Sequence, residues 1–240
     1  MSRQSAAGIF SSLVLARLQR RTNWQTFWIM PDRTVEDRLR EEYFDLHPEI
    51  RRVLEHMEAE VRYRLLPISR KLNKFERLDV SSRLKECESA VESLRRRQQG
   101  AIFYPNPDRP YSLTNLKDLA GVRVLVFPRS RISEVDAILR EVTAFREWVA
   151  DPVRDDGKIL ALKYSGHCTD ASSRIAGEYQ IVSVLTGLFW NIEHSAIYKP
   201  SPQLKGVARS LTMQERTRDV LEALSAFEEE FERLVREGNS

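Results

Sequence analysis

The sequence predicts an α/β protein with helical extensions at both ends, and three observations carry that reading. Helix-period and strand-period segments alternate through the middle of the chain, 42% of the 240 residues are hydrophobic, and long amphipathic stretches stand before and after that middle. We divide the chain into a basic leader at 1–33, N-terminal helices at 34–77, an α/β core at 78–200 and a C-terminal helix at 201–240.

Lys+Arg 38 against Asp+Glu 35 leaves a net charge of only +3, so bulk charge argues neither for nor against a nucleic-acid partner. Its distribution says more. The leader carries Arg3, Arg17, Arg20 and Arg21 and no acid before Asp32, which reads as a disordered or docking segment, with a transit peptide or a basic arm for RNA as alternatives. Cys87 and Cys168 form neither a disulfide framework nor a CxxC metal site, and no apolar run approaches a membrane span; the expectation is a cytoplasmic protein without a membrane partner.

From Thr34 the apolar residues Leu39, Tyr43 and Leu46, then Ile50, Val53, Met57 and Val61, recur at helical steps, with Pro48 at the start of a second helix and Pro67 ending the run. Val80–Lys85 reads as extended, which puts Arg83 and Lys85 on one face; Ser89 follows at the start of a helix that closes on the basic turn Arg95–Arg97. Ala101–Ser112, with three prolines, is a loop. Ile132, Val135, Leu139 and Val142 mark a helix, Trp148–Val149 and Ile159–Leu162 further strands, and Asp151–Lys158 a turn. Val184, Leu188 and Ile192 are expected inward on the next helix, and Val220, Leu224, Phe227, Phe231 and Leu234 on the last.

Leu116–Phe127 (LKDLAGVRVLVF) is the stretch where chemistry concentrates. Gly121 permits a tight turn, after which Val122, Val124 and Val126 alternate with Arg123, Leu125 and Phe127, so that Asp118 and Arg123 flank the start of a strand. That pair suits a metal-bound phosphate, or else an ordinary cap and salt bridge. In KYSGHCTD, Lys163, Tyr164 and His167 gather a cation, an aromatic ring and an imidazole of the kind that grips a base and a phosphate. Glu178 and Gln180 share one strand face; a carboxylate and an amide there are costly to bury unpartnered, and a lined cleft explains them.

R-x-K-x-x-x-S (Arg83, Lys85, Ser89), D-L-x-G-x-R (Asp118, Gly121, Arg123), E-x-Q (Glu178, Gln180) and F-W-x-I-E-H-S-x-x-Y-K (Phe189–Lys199) together resemble the RelA/SpoT-type nucleotidyltransferases, most nearly the small stand-alone synthetases, over roughly Leu78–Lys199. K-Y-S-G-H stands where that family's acceptor loop reads G-Y-x-S-x-H, and Val182-Ser183 where Arg-Thr often follows the E-x-Q strand. The resemblance implies a mixed five-stranded sheet flanked by helices and transfer of the β,γ-pyrophosphate of ATP to the 3′-hydroxyl of a nucleotide, with Mg²⁺ as cofactor. It makes Asp118 and Glu178 the catalytic and metal-binding carboxylates, assigns Arg83, Lys85, Ser89 and Arg123 to ATP, and assigns Lys163, Tyr164, His167 and Gln180 to the acceptor.

On that reading the chain is a GDP or GTP pyrophosphokinase making (p)ppGpp-type alarmones, with nucleotides as its partners. Two alternatives stand beside it. One is a toxin or defence enzyme of the same fold that pyrophosphorylates the 3′-CCA end of tRNA, which would add tRNA and an antitoxin protein as partners; the other is a non-catalytic nucleotide-binding module. Homo-oligomerisation is open under each.

Overall fold

The computed structural model describes residues 34–97, 111–155, 158–193 and 210–238. The leader, the proline-rich loop up to Pro110 and the His194–Lys199 part of the last motif lie outside the described residues. Helix α1 (Val35–Ser69) leads into strand β1 (Arg77–Leu84), helix α2 (Cys87–Arg97) and a single 3₁₀ turn at Leu113–Asn115. Strand β2 (Ala120–Phe127) is followed by α3 (Arg131–Arg140), the short strands β3 (Val149–Ala150) and β4 (Val153–Asp155), and the long β5 (Lys158–His167). Strand β6 (Ala176–Ser183) runs into α4 (Val184–Glu193), and α5 (Leu211–Gly238) comes last.

The strands make one mixed sheet in the order β1-β2-β6-β5-β3, with β4 also on β5. It holds six strands where five were expected. The extra one is bookkeeping along a single edge: β3 pairs Ser165 and Tyr164 while β4 pairs Ala161 to Lys158, so the two lie end to end beside β5. The predicted turn Asp151–Lys158 therefore contains strand β4. Only β2 and β6 are parallel; every other neighbouring pair is antiparallel.

Strict alternation in β2 sorts the two faces of the sheet. Ala120, Val122, Val124 and Val126 are buried, and with Tyr179 and Ile181 of β6 they join the main core under α1 and α3. The seven apolar positions foreseen on α1 are all buried, but they lie on one continuous 35-residue helix that runs through both Pro48 and Pro67. One missing backbone donor at each proline is outweighed by an apolar stripe that stays in register on either side.

The opposite face, carrying Gly121, Arg123, Leu125 and Phe127, is covered by α4 and α5 at its Leu125 end. Here two expectations fail. In α4 the buried residues are Thr186 and Gly187, while Leu188 and Ile192 are exposed; a Cβ on Gly187 would collide with Leu125, so the helix lies against the sheet through its smallest residue. In α5 the buried positions are Ser225 and Glu228, and Val220, Phe227 and Leu234 face outward. Phe231, partly buried, packs against Phe127 and Phe75 at centroid distances of 5.0 and 5.7 Å. Among the described residues no helix is long and apolar enough to cross a membrane.

Candidate active site

The end of that face not covered by α4 and α5 holds the polar residues, and register sets them out in two rows. Arg83, Gly121, Glu178 and Ser165 are cross-strand neighbours from β1 through β2 and β6 to β5; Ser81, Arg123, Gln180 and Lys163 form the next row. Gly121 is not a turn residue but the second residue of β2. Its value is space: a Cβ there would meet the Arg83 side chain at 3.4 Å, ordinary contact, and would take up the gap that glycine leaves between its strand neighbours Arg83 and Glu178.

That gap is the floor of a cavity of about 160 Å³ lined by Ser81, Arg83, Gly121, Arg123, Glu178, Gln180 and Asn191 among others. Glu178 is 6% exposed and fully engaged: Lys163 Nζ lies 3.0 Å from one carboxylate oxygen and Gln180 Nε2 donates to the other at 2.7 Å. Gln180 in turn accepts from Arg123 Nε at 3.2 Å, and Arg123 Nη1 donates to Asn191 Oδ1 at 2.7 Å. Burial, then the neighbouring charge of Arg83, pulls the Arg123 guanidinium below its ordinary pKa despite Glu178 nearby. Among the described residues Arg123 has no carboxylate ion pair, so a cation stands at the cavity with neutral partners.

Asp118 precedes β2 and is ion-paired to Lys85, with Arg97 Nη2 at 4.0 Å from its second oxygen. Burial opposes its ionisation, but Lys85, then Arg97 and Arg83, outweigh burial and hold the carboxyl below the usual range. Its Oδ1 is buried without a hydrogen bond. Lys163 is ion-paired to Glu178 at 3.0 Å and Asp151 at 3.7 Å: burial works against its charge, while Glu178, then Asp151 and the more distant charge of Asp118, raise its pKa.

A second cavity, about 550 Å³, opens beside the Glu178 row and is lined by Lys117, Trp148, Ser165, Gly166, His167 and Thr169 among others. His167 is exposed on the same strand face as Lys163 and Ser165. Tyr164 is not there. Successive residues of a strand point to opposite faces, and its ring is buried in the core, stacked on Tyr179 at 4.8 Å with its hydroxyl donating to Asp136 at 2.7 Å. The acceptor-stacking role expected of Tyr164 is therefore withdrawn. Ser89 lies in the first turn of α2 and lines neither cavity. Sequence reasoning missed Asn191; the signal was a lone amide one helical turn beyond a glycine in an otherwise apolar helix.

No protein-family model matches the chain, and no curated protein matches it by sequence. Solved structures do match. Small alarmone synthetase 1 from Bacillus subtilis superposes with a TM-score of 0.60 at 17% identity, covering 83% of this chain and 98% of that one. The chain has the small alarmone synthetase fold. The same Bacillus protein bound to its product pppGpp gives 0.58 at 19% identity over 83% of this chain and all of that one. A GTP pyrophosphokinase family protein from Streptococcus pneumoniae gives 0.54 at 21% over 81% and 92%.

Proposed function

We propose that the chain is an ATP pyrophosphokinase that transfers the β,γ-pyrophosphoryl group of ATP to the 3′-hydroxyl of GDP or GTP. The observation that carries this is the cavity over Gly121, where the cations Arg83 and Arg123 face a gap beside Glu178, with no carboxylate among the described residues ion-paired to Arg123. An uncompensated, partly buried guanidinium asks for an anion, and a triphosphate supplies one. Support comes from the shared fold, since the Bacillus protein of that fold has been crystallised with the ATP analogue AMPCPP and with pppGpp.

In this reading Arg83, Lys85 and Arg123 bind the triphosphate and Lys163 and His167 the acceptor, on either side of strand β6. The acceptor 3′-oxygen attacks the β-phosphorus, the bond from that phosphorus to the α–β bridging oxygen breaks, AMP departs, and Glu178 takes the hydroxyl proton. Lys163 and Gln180 fix the Glu178 carboxylate for that task. The donor set fits Mg²⁺, which commonly takes one or two carboxylates and completes its shell with phosphate oxygens and water: Asp118 Oδ1, buried without a hydrogen bond and with only Arg97 at 4.0 Å, would hold it, and Glu178 would be the second carboxylate in exchange for one of its present partners. Bound there, the ion would supply neutralisation of the phosphate charge.

Incubation of the purified protein with ATP labelled in its β and γ phosphates, Mg²⁺, and separately GDP, GTP, AMP or tRNA tests the proposal. Label is expected on GDP or GTP. Label on tRNA or AMP alone would overturn the acceptor, and label on none would overturn the reaction.

A further inference from the structure

Arg123 is held at both of its described hydrogen bonds by neutral amides, Gln180 and Asn191. Partly buried guanidinium groups are ordinarily matched with carboxylates, because desolvation is otherwise uncompensated. Glu178 is close enough to act on Arg123, yet its two oxygens are taken by Lys163 and Gln180. Arg83, the neighbouring cation, makes the local charge more positive still.

The fold brings Asn191 to this place by a specific device. Gly187 lets α4 lie against the sheet, where a Cβ would collide with Leu125 and approach Val182 Cγ1 to 3.2 Å. Asn191 is four residues further on, and residues at that spacing share a helix face. Close approach at Gly187 thus carries the amide to the Arg123 guanidinium, at the rim of the cavity both residues line.

We infer that Asn191 is a positioning residue that aims Arg123 into the cavity while leaving its full positive charge to a donor phosphate. This rests on the donor reading of the site given above. An aspartate would hold the guanidinium in nearly the same geometry but would neutralise it, so charge and geometry can be separated at this one position.

The test compares wild type with Asn191→Asp, Asn191→Gln and Asn191→Ala, by thermal melts and by calorimetric titration with AMPCPP and with inorganic pyrophosphate in Mg²⁺ buffer. For Asn191→Asp we expect an unchanged or higher Tm together with a fall in AMPCPP affinity of about thirtyfold or more, the scale of a lost charge-assisted contact. Asn191→Ala should lose about three- to tenfold through misorientation, and the neutral Asn191→Gln should stay nearer to wild type than the aspartate does. Wild-type affinity in Asn191→Asp would overturn the role of Asn191 while leaving the donor site standing. If wild type binds neither AMPCPP nor pyrophosphate, the donor reading itself falls, and the inference with it.

Discussion

Strand β6 has two faces of nearly equal burial and opposite chemistry. On the core side Tyr179 is packed among Tyr164, Phe145 and Trp148 at centroid distances of 4.8 to 5.5 Å, and its hydroxyl is buried without a partner. On the cleft side Glu178 and Gln180 are tied into an unbroken run from Lys163 to Arg123 and Asn191. The aromatic face tolerates an orphan hydroxyl because packing carries it. The polar face has no such reserve, and its groups are satisfied by one another with one cation left over. Burial alone therefore does not separate scaffold from site here; the pattern of partners does.

The largest effect that would break this contrast is on the cleft side. Asp118→Asn removes a charge at nearly constant volume, and pyrophosphoryl transfer should drop about a thousandfold or more, while a cooperative melt is retained. Turnover like that of wild type would show that the carboxylate is only a salt-bridge partner of Lys85.

A second measurement sharpens the contrast through Glu228, a carboxyl on the buried face of α5 without the partners Glu178 enjoys. Burial pushes it up to about 7, against the opposing pull of the nearby Ser183 hydroxyl and the Arg129 charge, neither of which closes a well-formed hydrogen bond to its oxygens. Because the folded state keeps the proton that the unfolded state has already lost, stability contributed by Glu228 is full below the ordinary carboxyl range and falls as pH rises towards 7. Glu228→Gln should match wild type near pH 4 and exceed it at pH 8 by up to roughly 3 kcal/mol, read from melts across that span. A constant difference at both ends would remove the titration from the account.

Smaller effects are expected on the core face. Tyr164→Phe gives up the hydrogen bond to Asp136 and should cost about 1 kcal/mol of stability with no change in acceptor KM. A raised KM would return Tyr164 to the site. Smallest is Tyr179→Phe, which deletes a buried hydroxyl that has no partner and should leave the Tm level or slightly higher; a clear loss in a thermal melt would mean that the hydroxyl is satisfied after all.

Much of this was legible from period and residue type. Alternation in β2 and β6 placed Arg123, Glu178 and Gln180 on faces that the structure brings together, and most of the buried stripe of α1 was foreseen, Leu54, Leu65 and Ile68 excepted. The misreadings share a cause. Tyr164 and Lys163 were grouped because they are adjacent in the chain, yet adjacency in a strand means opposite faces. In α4 and α5 the reading followed the large apolar residues, whereas the faces in contact with the sheet carry Thr186, Gly187, Ser225 and Glu228, whose burial rests on size and fit rather than on hydropathy. Asn191 could be valued only once its distance to Arg123 was known.

The two rims of the sheet also bear on how the protein survives at high concentration. A strand rim is a template on which another chain can crystallise, one hydrogen bond at a time. Along one side, β1 carries Arg77, Asp79 and Arg83, and Arg62 from α1 already occupies the Val80 carbonyl at 2.6 Å. Along the other, the rail is cut into the short pieces β3 and β4 on either side of Asp151-Pro152, with a register slip between Val153 and Arg154. Neither rim offers a straight, uncharged run for a stranger's backbone, so both edges of the folded sheet disfavour fibril growth by strand addition.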